Sequence, residues 1–215
     1  MSGAQQITFM NQRSFSPPLP ADIGAAFGGG FFAGQIGVSG VATHNLVVGP
    51  VSTAQASRAW KNAATETSGA DSVIDGPQNT ADMVADGNST VYPAAHFCNN
   101  LVIGGFDDWY MPARNELEVC YFNLKPTTDS NSTSSGINSN AVPARTSNYT
   151  AGNPARTSAS AFQSGGAQAF DTAIYWSSTE NAYNTGRGQS FTGGNQSNYL
   201  KTESFQVRAI RRVPV

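Results

Sequence analysis

The stretch Gly104-Gly105-Phe106-Asp107-Asp108-Trp109-Tyr110-Met111-Pro112-Ala113-Arg114-Asn115-Glu116-Leu117 decides how this 215-residue chain reads. Two glycines mark a turn. Trp109 follows in a strand-like motif and, having a large area to bury, is expected in the core. From about Ala113 the period changes: Leu117, Cys120, Tyr121 and Leu124 recur on one helical face, and Lys125-Pro126 ends the helix. Upstream, Pro93 suits the first position of another helix, on which Ala94, Phe97, Cys98 and Leu101 stand at i, i+3, i+4 and i+7. A shorter helix is expected from Gln78 to Asp86, burying Ala81, Val84 and Ala85.

Outward from these helices the text turns strand-like. Phe31 and Phe32 follow a Gly28-Gly29-Gly30 turn, then come Gln35 to Val38 and Leu46 to Val48, with Gly34, Gly37, Gly40 and Gly49 punctuating hairpins. No Gly-Lys-Ser/Thr follows the triple glycine, so it is no phosphate loop. Residues 1–21 read as an extended arm preceding a domain at 22–215. Ile7, Phe9 and Phe15 are its apolar anchors, and Ser16-Pro17-Pro18-Leu19-Pro20 is stiff. Docking on a neighbouring subunit is the expectation; a frayed tail is the alternative.

The segment 126–200 holds only six charged residues, and more than half of it is Ser, Thr, Asn, Gln or Gly. Such composition suits disorder. Against that, Phe162, Phe170, Ile174, Tyr175 and Trp176 recur as anchors and a strand-like run from Phe205 to Val213 closes the chain, so long ordered loops pinned to a small sheet are expected. The repeated Pro-Ala-Arg-Thr-Ser at 143–147 and 154–158 is too short for a solenoid.

Charged residues make up 12 %, against a usual ~25 %. A net charge of −2 without a basic cluster argues against nucleic-acid binding, which needs a concentrated row of Lys and Arg. No run approaches the ~18 apolar residues of a membrane span, and Met1 to Pro20 shows no signal peptide. Synthesis and retention in the cytoplasm until assembly is therefore expected. Cys98 and Cys120, at apolar helical positions, read as buried thiols; a disulfide between them is the alternative left open.

Enzyme readings do badly. His96 and Cys98 stand two apart with no further pair to complete a zinc shell, and His44 is alone in a hairpin. Ser177-Ser178 has no nucleophile-elbow setting. Asp107, Asp108 and Glu116 would offer three hard oxygens to calcium. The favoured reading is structural, with an aspartate capping the turn before Trp109 and Glu116 bonding the helix start. No catalytic residue, metal or cofactor is expected. Trp176 reads as core, and Trp60 could be either.

The quoted stretch resembles the core motif of the Lcl C-terminal domain family, found in phage tail proteins and bacterial surface proteins. Tyr175-Trp176-Ser177-Ser178-Thr179-Glu180 is similar to its central segment and Val207-Arg208-Ala209-Ile210-Arg211-Arg212 to its closing strand. Phe27-Gly28-Gly29-Gly30-Phe31-Phe32-Ala33-Gly34 is similar to the opening of phage-borne members. The resemblance covers roughly 22–215. It implies an α+β, C-type-lectin-like fold: a small twisted antiparallel sheet flanked by two or three helices, chain ends close together, and long loops forming a binding face. It also implies attachment or virion roles, not catalysis. Three departures matter. Ala209 stands where many secreted members place a cysteine. Ala113 replaces a usual Ser or Thr N-cap, a loss of ~1 kcal/mol. The Glu-Pro-Asn or Gln-Pro-Asp and Trp-Asn-Asp ligands of calcium-dependent lectins are absent, so calcium-dependent sugar binding is not carried over.

A binding face is expected on 177–199. Ser178, Asn181, Tyr183, Asn184, Arg187, Gln189, Asn195, Asn198 and Tyr199 interleave with Gly186, Gly188, Gly193 and Gly194. Tyr supplies rigid contact area and amides supply adaptable hydrogen bonds, the composition of a paratope, though solvated loops look similar. The resulting expectation is a phage virion protein, homo-oligomeric, docked on other virion proteins through its arm and recognising a host-surface glycan or protein. Its rival is a capsid or tail decoration protein without receptor binding. A bacterial surface adhesin is disfavoured by the missing export signal.

Overall fold

The computed structural model describes residues 22–215. The arm residues Ile7, Phe9 and Phe15 lie outside the described residues. In chain order the elements are β1 (Ala26–Phe27), β2 (Gly30–Val38), β3 (Val41–Val48), α1 (Val51–Ala54), β4 (Gln55–Ala59), α2 (Gly76–Asp86), α3 (Pro93–Asn99), α4 (Arg114–Leu124), β5 (Ala141–Val142), a 3₁₀ turn (Ser160–Phe162), β6 (Ile174–Ala182), β7 (Thr185–Ser190), β8 (Gln196–Leu200), β9 (Ser204–Arg208) and β10 (Ile210–Pro214). The architecture is α+β. One sheet runs β1-β2-β3-β10, with β5 also on β2; the other runs β4-β9-β6-β7-β8. All pairings are antiparallel except a single parallel contact between β6 and β9.

The three expected helices form. α2 starts two residues earlier than expected, because the Asp75 carboxylate accepts from Gln78 N at 3.3 Å and caps the helix there. Its buried face is Asn79, Thr80 and Met83, with Ala81 and Ala85 exposed and Val84 partly buried against the expectation. At α4, Glu116 Oε2 accepts from Ala113 N at 2.8 Å, so the acidic half of a capping box survives without a hydroxyl partner. Ala33 and Gly34 lie under α4. Gly34 has φ +119°, and a Cβ there would stand 2.3 Å from the Asn123 amide, which donates to Ala33 O at 2.8 Å. Only glycine permits this approach.

Two apolar clusters fill the space around the sheets. One gathers Trp60, Met83, Tyr92, Cys98, Trp109 and Trp176. The other gathers Leu46, Leu117, Cys120, Tyr121, Phe170, Tyr175 and Phe191. All three tryptophans are buried, which decides the case of Trp60. Both cysteines are free and buried.

The motifs that read as separate signatures are physical partners. Asp108 takes Arg211 in two bonds of 2.6 and 2.8 Å, Glu116 takes Arg212 at 2.7 Å, and Tyr110 pairs with Ile210 as a β-bridge. Arg211 also donates to Gly28 O at 3.0 Å, so the described start and end of the chain meet. Asp107, Asp108 and Glu116 do not converge. Burial of the Glu116 carboxyl pushes its pKa up despite Arg212.

The polar segment after α4 is ordered by a buried anion. Glu118, fully buried, accepts from Tyr149 OH (2.6 Å), Arg145 Nε (2.9 Å) and Asn138 Nδ2 (2.5 Å). A carboxylate with this many donors fixes neutral loops that have few apolar anchors.

Candidate functional site

The expected binding loops are mostly strand. β6, β7 and β8 occupy 174–200 with only short turns between them. Gly186 and Gly188 are not turn residues. A Cβ on Gly186 would stand 3.0 Å from the Trp60 indole, and one on Gly188 3.1 Å from Tyr175 O. Gly186 lets β7 lie on the Trp60 ring, and Gly188 is crowded by the β6 backbone, the Tyr199 ring and Ile174. Gly194, with φ +73°, is the turn glycine between β7 and β8.

This geometry divides the candidate residues. Ser178 and Gln189 are interior, which corrects their assignment to the surface. Ser178 Oγ accepts from Asn79 Nδ2 at 3.1 Å, and Gln189 Nε2 donates to Tyr149 OH and Gly194 O, both at 3.3 Å. Neutral polar residues hydrogen-bonded inside look the same in sequence as solvated ones. Tyr199 is half-buried, its ring against Trp176 and Phe205 at 6.1 and 5.0 Å between centroids. Asn181, Tyr183, Asn195 and Asn198 are exposed; Asn184 and Arg187 are partly buried.

The exposed residues fall in two places. Asn181 and Tyr183 sit at the β6–β7 hairpin and wall a polar cleft of about 380 Å³, whose opposite side is the loop carrying Glu66, Ser68 and Asp71. Tyr183 is 61 % exposed. Asn195 and Asn198 instead lie just before and on β8, Asn198 opposite the partly buried Arg187 of β7.

The cleft is held from beneath by buried charge. Lys201 Nζ pairs with Glu180 and donates to Thr65 O at 2.8 Å and Tyr183 O at 3.1 Å. Glu180 accepts from Thr67 N at 3.1 Å, and Lys61 Nζ donates to Glu66 O at 2.8 Å. Burial holds the Lys201 pKa below its ordinary value, partly offset by Glu180. The hairpin and the loop are thus fixed to one lysine, and their outward groups are preorganised. Chemically the cleft offers carboxylate and amide partners for hydroxyls beside one exposed aromatic face. Among the described residues no three His, Cys, Asp or Glu side chains gather as metal ligands.

Glu66, Ser68 and Asp71 escaped the sequence reading. They lie over a hundred positions from the hairpin, and their only signal is the polar, turn-rich run Glu66 to Asp71.

Comparison with known proteins finds a family and a similarity of structure. The profile described as "Lcl C-terminal domain" matches residues 51–211. A crystal structure of a fimbrial protein from Bacteroides ovatus ATCC 8483 is similar in fold, at 14 % identity and TM-score 0.49. The similarity covers 84 % of this chain and 43 % of that one, so the chain spans less than half the length of that relative. No curated protein sequence matches.

Proposed function

The chain belongs to the Lcl C-terminal domain family, and from that premise we propose that it is a phage virion protein whose domain, C-type-lectin-like in fold, recognises a host-surface molecule. The observation that carries the reading is the cleft. An exposed Tyr183 and Asn181 face Glu66 and Asp71 across about 380 Å³, on a hairpin fixed by the buried Lys201–Glu180 pair. Exposed aromatics on a rigid platform contribute contact area at little entropic cost. The lectin-like assignment is supported by helices packed beside small antiparallel sheets and by the contact between Arg211 and Gly28 near the two ends.

On this reading the protein is homo-oligomeric, is held to other virion proteins through residues 1–21, and is neither an enzyme nor a nucleic-acid binder. Its composition, poor in charge and free of basic clusters, suits such a role. The test is an adsorption assay on particles carrying Tyr183→Ala together with Asn181→Ala. Particle yield and protein occupancy should match wild type while adsorption falls at least roughly tenfold, the loss of one anchoring aromatic. Unchanged adsorption at full occupancy would sink the recognition role and favour decoration.

A further inference from the structure

On the face of β7 and β8 turned away from the tryptophans, Arg187 of β7 and Arg114 of α4 come together with no carboxylate among the described residues. Register sets Arg187 opposite Asn198 and Gln189 opposite Gln196, so these four side chains share one face, with Leu200 next along. Arg114, on the first turn of α4, reaches the same face and donates to Gln196 Oε1 at 3.2 Å. Arg145, Lys201, Arg211 and Arg212 each meet a carboxylate. Arg114 and Arg187, like Arg58, Arg156 and Arg208, meet none among the described residues, and the buried Arg187 Nε also has no acceptor among them. Burial, and then the nearby Arg114 charge, holds the Arg187 pKa below its ordinary value. An anion placed here would relieve both costs.

The same place is an open strand edge. β8 ends its sheet. Lys201 N donates to Asn184 O and Ser190 N to Asn195 O, so odd-numbered residues of β8 turn their backbone toward β7. Even-numbered ones turn outward. Of these, Gln196 N is taken by Ser135 Oγ and Leu200 O by Glu203 N. The N–H and C=O of Asn198 and the N–H of Leu200 have no partner among the described residues, and Leu200 is 48 % exposed.

We propose that β8 is a docking strand for an extended segment of another protein, whose Asp or Glu carboxylate seats against Arg114 and Arg187. Strand addition supplies main-chain hydrogen bonds, and alternate side chains supply specificity. The register asks for an acidic residue beside Asn198 and an apolar one two positions along, over Leu200. Charge selects the occupant. Pairing β8 with β8 of a second copy would bring four guanidiniums together, and residues 1–21 contain Arg13 but no Asp or Glu. This inference does not depend on the role given to the Tyr183 cleft.

The test is titration of the isotope-labelled full chain with a seven-residue Thr/Val peptide bearing one central Glu, and with its Gln twin, followed by NMR. The Glu peptide should shift the Arg187 Nε–H signal and slow hydrogen exchange at the Asn198 and Leu200 amides. The Gln twin should bind roughly tenfold more weakly, as expected when a charge-assisted bond becomes neutral. Arg187→Gln and, separately, Arg114→Gln should remove that difference while the rest of the spectrum stays folded. Acetate is the control. If it shifts Arg187 as strongly as the peptide and the two amides stay unprotected, strand addition is overturned. If Arg187 responds to neither, the anion site is overturned as well. Adsorption of Tyr183→Ala particles reports on the other reading alone.

Discussion

Replacing Glu118 with Ala should loosen the polar segment that follows α4 while leaving the β2–β3 hairpin intact. The Glu118 carboxylate is buried and holds Arg145, Tyr149 and Asn138, and Arg145 in turn lies over the Phe122 ring at 4.2 Å. Removing it strands a guanidinium that is 13 % exposed and a phenol whose pKa burial already holds well above normal. Breaking a buried ion pair from one side costs ~3–5 kcal/mol. Arg145 has some access to water, which favours the lower end, ~3 kcal/mol. For a domain of this size that lowers Tm by roughly 6–12 °C. Locally, the amides of Tyr149 (to Ser135 O, 2.7 Å) and Asn138 (to Arg145 O, 2.9 Å) should exchange about a hundredfold faster, with smaller changes in the hairpin. Thermal denaturation and hydrogen exchange read both effects. A Tm drop under about 2 °C with unchanged exchange at these amides would refute the idea that this anion orders the segment.

Three further outcomes follow from particular contacts. Gly186→Ala should cost ~1–3 kcal/mol in urea denaturation, because its Cβ would press on Trp60 at 3.0 Å; a neutral result would show that β7 does not lie on that ring. Burial pushes the Cys120 thiol up to about 12 and Cys98 higher still, so an aromatic disulfide reagent should label neither in the native protein and both in denaturant. His44 has its pKa lowered by burial and then by Arg212, so between that lowered value and ~6.5 the unfolded chain binds more protons. Stability contributed at His44 is therefore complete above ~6.5 and declines as pH falls through the window; subtracting the urea midpoints of His44→Gln from wild type over pH 5–8 should isolate that slope, and a flat difference would contradict it.

How much the sequence revealed depended on which force shaped each element. α3 and α4 were legible because an apolar stripe of period 3.6 has one helical solution, bounded here by Pro93 and Pro126. Trp109 and Trp176 were legible because large aromatics seldom stay outside. β7 was not: Thr185 to Ser190 reads as loop until Gly186 and Gly188 are seen as the Trp60-facing side of a period-two pattern, with partly buried Arg187 and buried Gln189 on the opposite side. Ser178 and Gln189 misled because an uncharged polar side chain is equally at home in water and in a satisfied interior. Arg114 was hidden within a helix signature, and only the fold brings it to Gln196, 82 positions away. The cleft required two loops whose meeting no local pattern encodes.

In the proposed role the hairpin carrying Asn181 and Tyr183 touches a host molecule. Competition measures it most directly: purified full chain, in excess, is added to host cells before particles, and free particles are counted. Wild-type protein should block adsorption in a saturable manner, and Tyr183→Ala protein of equal stability should block at least roughly tenfold less well. Equal blocking by both proteins, or none by either, would mean that this hairpin does not bind the host surface.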